Sequence, residues 1–479
     1  MIGVGSASYQ IEGGTKDDGR GESTFDRFVQ TSKDTPVNGI TYENADVSSD
    51  NYHHLEEDVK LLKELGVDFY RFSISWSRIL PTGDIRNINQ AGIDHYNRLI
   101  DLLLEKDIKP FVTMFHWDYP QPLQDLGGWT NPVMVDYFVE FAHLFAMSYV
   151  LFNFFLGKIM VNAQRAPLIQ CRSLCKVSLN YPQLAPGIIM PGVAEYLSVH
   201  HILLSHAKVY HMYDKQFRPH QHGKMGISLD TFYYRPQTPA EEEARDRLLQ
   251  FHIGWIANPI FGTGDYPEIV RRIVDENSKK EGRLTSRLPR FSDQEIRDLK
   301  GSADFFGINH YTTYLARDDP NVVSVPSIER DAGVNLVADP KSKIAGPVWL
   351  IYEPEGFREL LNWLKKEYNN PPIFITENGC SQPGKTLTEE LNDDRRIGYI
   401  QVCLSHSVNI DKVNVTGYSG WSFMDSFEWD SGFNERFGFY HVDFKDPKRT
   451  RRAKKSASFY RDILLSRFLQ PQIQNGTHL

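Results

Sequence analysis

Residues 371–379 read PPIFITENG, and the order of chemical types in this short run decides how the rest of the chain is read. Ile373, Phe374 and Ile375 make an apolar extended run. Thr376, Glu377 and Asn378 then turn polar, and Gly379 permits a sharp turn. A strand with this ending presents its acid at the C-terminal tip. In an eight-stranded parallel barrel that tip is where catalytic groups gather, because the loops following the strands form the pocket there. A lone Glu is most often a surface loop residue, so the reading of Glu377 depends on what closes the other strands.

Similar β-prone runs occur at residues 2–9 (IGVGSASY), 67–76 (VDFYRFSISW), 109–117 (KPFVTMFHW), 224–232 (KMGISLDTF), 303–311 (ADFFGINHY) and 415–425 (VTGYSGWSFMD). With residues 372–379 they make seven. Amphipathic stretches lie between them. In residues 53–66, Leu55, Val59, Leu62 and Leu65 share one helical face, and in residues 89–107 Ile93, Tyr96, Ile100 and Leu103 fall in similar register. This alternation predicts βα units around a parallel sheet, an α/β TIM (β/α)8 barrel. The interval from Trp117 to Met225 is about twice what a βα unit needs, which places an eighth strand in or near residues 155–167. No linker, low-complexity tract or short-period repeat interrupts residues 1–479, so the expectation is a single barrel domain.

Composition narrows the function. The chain has 41% hydrophobic, 24% charged and 13% aromatic residues and a net charge of -8, enough apolar material for a large core. No long basic run offers a footprint for nucleic acid or an anionic membrane, and the most apolar stretch, MSYVLFNFFLG at 147–157, is too short to span one. A small, neutral partner is expected, with the oligomeric state open. Cys171, Cys175, Cys380 and Cys403 suggest neither a disulfide framework nor a zinc site and read as buried free thiols. The chain opens directly on a strand-like run, with neither a charged leader nor an apolar signal region, which implies a cytoplasmic protein or, if a signal peptide is missing from a truncated start, a secreted one. Sequons at Asn475-Gly476-Thr477 and Asn414-Val415-Thr416 do not decide between these.

Polar and aromatic residues close the other strands: Gln10, Arg71, His116 with Trp117, Asn309 with Tyr311, and Trp421 in the last run with Glu428 and Trp429 just beyond it. Each alone could be packing. Indole and phenol faces beside amides, an imidazole and a carboxylate are together what a pyranose needs, since a sugar has apolar C–H faces and a ring of hydroxyls.

On these residues, from GVGSASYQIEGG (3–14) to WDSGFNERFGFYHVDF (429–444), the chain resembles glycoside hydrolase family 1, the retaining β-glucosidases and myrosinase-like β-glycosidases of animal or insect type. The resemblance covers nearly the whole chain except about residues 145–180. It implies that Glu377, in the family's I-T-E-N-G signature, is the catalytic nucleophile that forms a covalent glycosyl-enzyme. It also implies that Arg71 and Tyr311 hold this carboxylate charged and aimed. Glycone-binding groups map onto Gln10, His116, Asn309, Trp421, Glu428 and Trp429, with Trp117 beside His116, and an aglycone platform maps onto Trp349. No metal or organic cofactor is implied. Members that take 6-phosphorylated sugars differ at the Glu428–Trp429 pair, where a carboxylate repels phosphate; unphosphorylated β-glucosides are therefore expected.

One part of the pattern is missing. A retaining glycosidase needs a second carboxyl group about 5–5.5 Å from the nucleophile to protonate the leaving oxygen and later activate water. The family carries it in a T-[FL]-N-E-P motif at the end of strand four. Residues 158–167 stand there and read KIMVNAQRAP, without an acid. Glu140 and Glu195 fall in the preceding and following helical segments. Read back through the genetic code and advanced by one base, Met160 to Pro167 can spell W-L-T-L-N-E-P, the family's motif in its expected place. Residues 145–180 are accordingly read as an anomalous, frame-shifted segment, with the family pattern resuming by YPQLAPGI (181–188). Two functions follow as expectations: a β-glucosidase-like hydrolase of O- or S-glycosidic bonds, including a myrosinase-type thioglucosidase using good leaving groups, or a non-catalytic, receptor-like glycan-binding relative that keeps the pocket without the acid.

Overall fold

In the computed structural model, which describes residues 1–34, 43–148, 155–156, 160–161, 190, 192–321, 325–347, 349–407 and 411–467, the run Ile373–Asn378 is a strand buried along its whole length. The strands in chain order are β1 (Ile2–Gly5), β2 (Phe69–Ser73), β3 (Lys109–Thr113), β4 (Phe155–Leu156), β5 (Met160–Val161), β6 (Lys224–Asp230), β7 (Tyr233–Pro236), β8 (Phe305–His310), β9 (Thr313–Asp318), β10 (Val334–Val337), β11 (Ile373–Asn378), β12 (Val415–Trp421), β13 (Tyr440–Val442) and β14 (Arg451–Ala453). Eight of them pair in parallel as β1-β2-β3-β4-β6-β8-β11-β12, and β12 returns to β1. The ring is closed. β5 runs against β6 beyond β4, with Met160 opposite Ser228.

Side chains alternate along a strand, so residues two apart face the same way. Phe69, Phe111, Phe305 and Phe374 meet as an aromatic plug inside the ring, with Phe111 and Phe374 centroids 4.8 Å apart. Two residues further along β2, β3 and β11 come Arg71, Thr113 and Thr376, which are therefore carried inside as well. The intervening Tyr70, Val112, Ile373 and Ile375 belong to the larger apolar cluster shared with the surrounding helices.

The predicted helices at 53–66 and 89–107 form over Leu55–Leu65 and Gln90–Glu105, and Leu55, Val59, Leu62 and Leu65 are all buried. Gly66, at φ 83°, ends the first by donating its N–H to the Leu62 and Lys63 carbonyls. Several sequence expectations need correction. The strand at 2–9 ends at Gly5, and Ser8–Ile11 is a single helical turn, so Gln10 lies on a turn after the strand. The strand predicted at 224–232 ends at Asp230, and β7, which starts at Tyr233, joins β9 and β10 in a separate small sheet. The missing eighth strand occurs at Phe155–Leu156, within the expected interval. Most of residues 158–167, Cys171, Cys175 and Asn475 lie outside the described residues. Cys380 and Cys403 are buried free thiols.

Candidate active site

Arg71 rises from the middle of β2 directly above the phenylalanine plug and is fully buried. Such a charge is tolerable only when paired and hydrogen-bonded. Its Nη1 donates to Glu377 Oε1 at 2.7 Å and to the Thr376 carbonyl at 3.2 Å, while Nε donates to Thr113 Oγ1 at 3.1 Å. Nη2 stands 3.4 Å from His116 Nδ1. A guanidinium only donates, so that ring nitrogen accepts and the imidazole proton sits on Nε2. Gly5 makes room for this group, because a Cβ there would stand 3.3 Å from Arg71 Nη1 and 3.2 Å from the Trp421 ring. Gly379 answers a similar demand: a Cβ would meet the Trp421 carbonyl oxygen at 2.2 Å, so close approach is what requires glycine there.

Tyr311 lies just beyond β8 and donates its hydroxyl to Glu377 Oε2 at 2.6 Å. Burial, and next the Glu377 charge, push its phenol well above the ordinary range, so it stays a donor. Each carboxylate oxygen of Glu377 thus has a donor, one cationic and one neutral, and the residue is only 4% exposed. Asn309 is tied in from below, its Oδ1 accepting from Thr376 Oγ1 at 2.8 Å.

The aromatic residues gather around this carboxylate. His116 lies near-parallel to Trp421 at 6.2 Å and to Trp429 at 5.9 Å, and Trp117 meets Trp429 at 4.6 Å. The Arg71 guanidinium sits 5.8 Å from the Trp421 ring. Trp117 and Trp429 both hold left-handed backbone, φ 74° and 53°, uncommon for bulky residues. Gln10 donates Nε2 to the Phe427 carbonyl at 2.8 Å and its own carbonyl accepts from the Phe427 N–H, while its Oε1 is buried with no hydrogen-bond partner among the described residues. An acceptor left in that state is suited to a ligand hydroxyl.

Glu428 follows on the same loop and is held by Ser426 Oγ at 3.0 Å. Burial pushes it well above the carboxylate range. Glu428 is therefore a charged carboxylate only on the alkaline side of that raised value. Trp349, half-buried, stands 5.9 Å from Tyr311 and 6.0 Å from a near-parallel Phe232.

All eleven sequence-assigned residues are brought to one end of the barrel through these contacts. Thr113, Ser426 and Phe232 were not singled out in the sequence, and Thr376 was read only as part of the polar tip beside Glu377. For the two threonines a signal was present, since each stands two positions after a plug phenylalanine. Among the described residues there is no cluster of three or more His, Cys, Asp or Glu that could hold a metal, and no helix long and apolar enough to cross a membrane.

Comparison with known proteins gives one answer. The chain is 40% identical over 474 residues to Myrosinase 1 of Brevicoryne brassicae, covering 97% of each. It is 42% identical over 466 residues to human lactase/phlorizin hydrolase, covering 96% of this chain but spanning only 23% of that longer protein. A rice β-glucosidase mutant, solved in a covalent complex with Glc, superposes with TM-score 0.82 at 35% identity over 96% of this chain and 97% of its own. The sequence pattern of glycosyl hydrolase family 1 matches residues 1–467, and with the closed parallel ring and the carboxylate at the tip of β11 this chain belongs to that family.

Proposed function

We propose that this protein binds unphosphorylated β-glucosides and that Glu377 attacks the anomeric carbon. In that step the bond to the aglycone breaks as the carboxylate–sugar bond forms. Water then cleaves the glycosyl-enzyme, with net retention. The observation that carries this reading is the pair of donors, Arg71 and Tyr311, one on each oxygen of a buried carboxylate at the C-terminal end of β11. They fix its orientation before substrate arrives, which is where the gain from positioning arises. The test is incubation with an activated 2-deoxy-2-fluoro-β-glucoside followed by peptide mass analysis, which should find the sugar on Glu377.

The second half of the mechanism needs a proton donor for ordinary aglycones, and the sequence has no acidic residue between Glu140 and Glu195. Glu140 is on the helix Met134–Ser148. Glu195 lies in the first turn of the helix Ala194–Gln216, where burial raises it to about 7 and its Oε1 accepts from the Gly192 N–H at 3.4 Å, so it is held on the loop that enters its own helix. This absence favours a second reading for the chain as written: turnover confined to glycosides whose leaving group departs unprotonated, as a thioglucoside's or an activated phenol's does. A glycan-binding role without turnover is the limiting case. A transcript encoding the shifted frame over Met160 to Pro167 would restore the acid and with it the full β-glucosidase reaction; an intact message for MVNAQRAP would leave the second reading. The exposed Asn414, just ahead of β12, gives a secreted form of this chain a surface position for a glycan.

A further inference from the structure

Strict alternation along β11 would aim Glu377 away from the pocket. Phe374 and Thr376 face into the ring, as the phenylalanine plug and the Thr376–Asn309 bond show. The next residue should then face the helices, as Ile373 and Ile375 do. Yet Glu377 faces inward too, onto Arg71 and Tyr311. The register explains it. Against β8, Ile375 lies opposite Ile308 while Glu377 lies opposite Asn309, and against β12, Ile375 lies opposite Tyr418 while Asn378 lies opposite Gly420. One extra residue is thus accommodated in β11 relative to both neighbours, a bulge that turns two successive side chains to the same side.

A bulge costs ladder hydrogen bonds and persists only if something holds it. Asn378, the first residue after it, is fully buried on the outer side of the strand. Its Nδ2 donates to the His310 carbonyl of β8 at 2.7 Å, and its Oδ1 accepts from Tyr418 Oη of β12 at 2.7 Å, so one amide clasps both flanking strands. Tyr399, on the helix Asp394–Ser407, stands 3.5 Å from the same Nδ2 and donates its hydroxyl to the Tyr311 carbonyl at 2.8 Å. The same cluster therefore supports the backbone of both Glu377 and its phenolic partner.

We propose that Asn378, with Tyr418, is the positioning residue of the nucleophile: its amide locks the β11 bulge and so sets the direction of the Glu377 carboxylate without touching substrate. The proposal rests on Glu377 being the nucleophile. It is tested in the full chain by the saturation kinetics of labelling with 2,4-dinitrophenyl 2-deoxy-2-fluoro-β-glucoside, whose leaving group needs no acid. Asn378→Ala should lower the maximal labelling rate by about 10- to 100-fold, the cost of misplacing a reacting group by about 1 Å, with the half-saturating concentration within about threefold of the parent. Tyr418→Phe, which removes one hydroxyl and keeps the ring, should lower that rate in the same direction by a smaller factor. Measured well below each variant's melting temperature, a merely structural clasp would leave the maximal rate at the parent value, and that result overturns the proposal. A folded parent that is never labelled would instead overturn the nucleophile assignment, and the proposal with it.

Discussion

Arg71 Nη1 and Glu377 Oε1 are 2.7 Å apart and 306 positions apart in sequence, so this one ion pair joins β2 to β11 across the interior of the barrel. Both side chains are out of water. Removing one member of a buried pair leaves the other charge uncompensated, at roughly 3–5 kcal/mol, whereas removing both is far milder. Arg71→Met should therefore destabilise the fold by about that amount in urea unfolding, and Arg71→Met combined with Glu377→Gln should recover a large part of it. Additive losses in the double variant would show that the pair is not a unit.

Tyr311→Phe removes a hydrogen bond to a charged acceptor while keeping the ring that packs against Trp349 and Phe437. Such bonds contribute roughly 1.5–3 kcal/mol. The rate of glycosylation of Glu377 should fall by about 10- to 100-fold, with a stability loss of no more than about that size in urea unfolding. An unchanged rate would mean that the phenol plays no part in aiming the nucleophile.

For the chain as written, leaving-group ability should dominate turnover. General acid catalysis supplies about 10²- to 10⁴-fold, so cellobiose should lag behind 2,4-dinitrophenyl β-glucoside by at least that factor beyond their intrinsic difference. Azide should accelerate release of the sugar from the activated substrate. Ordinary cellobiose rates without such help would contradict the loss of the acid.

What the sequence made legible is what period two carries. Alternation puts Arg71, Thr113 and Thr376 on the same face as the phenylalanines two positions before them, the change from apolar to polar residues marks the tip of the strand at 372–379, and the helices at 53–66 and 89–107 follow from their apolar faces. The direction of Glu377 does not follow, because a single extra residue in a ladder leaves no mark in composition; it depends on strands β8 and β12, whose register is set by the closed ring. The turn carrying Gln10 read as strand because its small and apolar residues suit both states. The sheet of β7, β9 and β10 was missed because β7 and β9 start within a few residues of the barrel strands before them, without the Gly or Pro punctuation that marks a boundary.

Asp118 carries a testable pH dependence. Burial raises it to about 8 from an ordinary 3.8, opposed by the Ser8 hydroxyl that donates to Oδ2 at 2.6 Å. The folded state therefore holds a proton that the unfolded chain releases near 3.8. The resulting stability is fully present below that value and is lost as pH rises toward about 8. Melting temperature should fall across this window, and Asp118→Asn should flatten the fall. A slope unchanged in the variant would assign it to other groups.

Glu428 should make sugar selectivity depend on charge. Its pKa is raised, so the carboxylate becomes charged, and repels a 6-phosphate, as pH increases. Discrimination against a 6-phospho-β-glucoside should grow with pH in the parent, and Glu428→Gln should reduce it most at the alkaline end. Equal discrimination by both proteins at every pH would remove Glu428 from this role.

The most direct measurement is the site of covalent capture. After reaction of the parent chain with 2,4-dinitrophenyl 2-deoxy-2-fluoro-β-glucoside and proteolysis, the peptide bearing residues 371–379 should carry one fluoroglucosyl group on Glu377, and Glu377→Gln should carry none. Capture on a different residue, or saturable sugar binding with no adduct at all, would contradict the account.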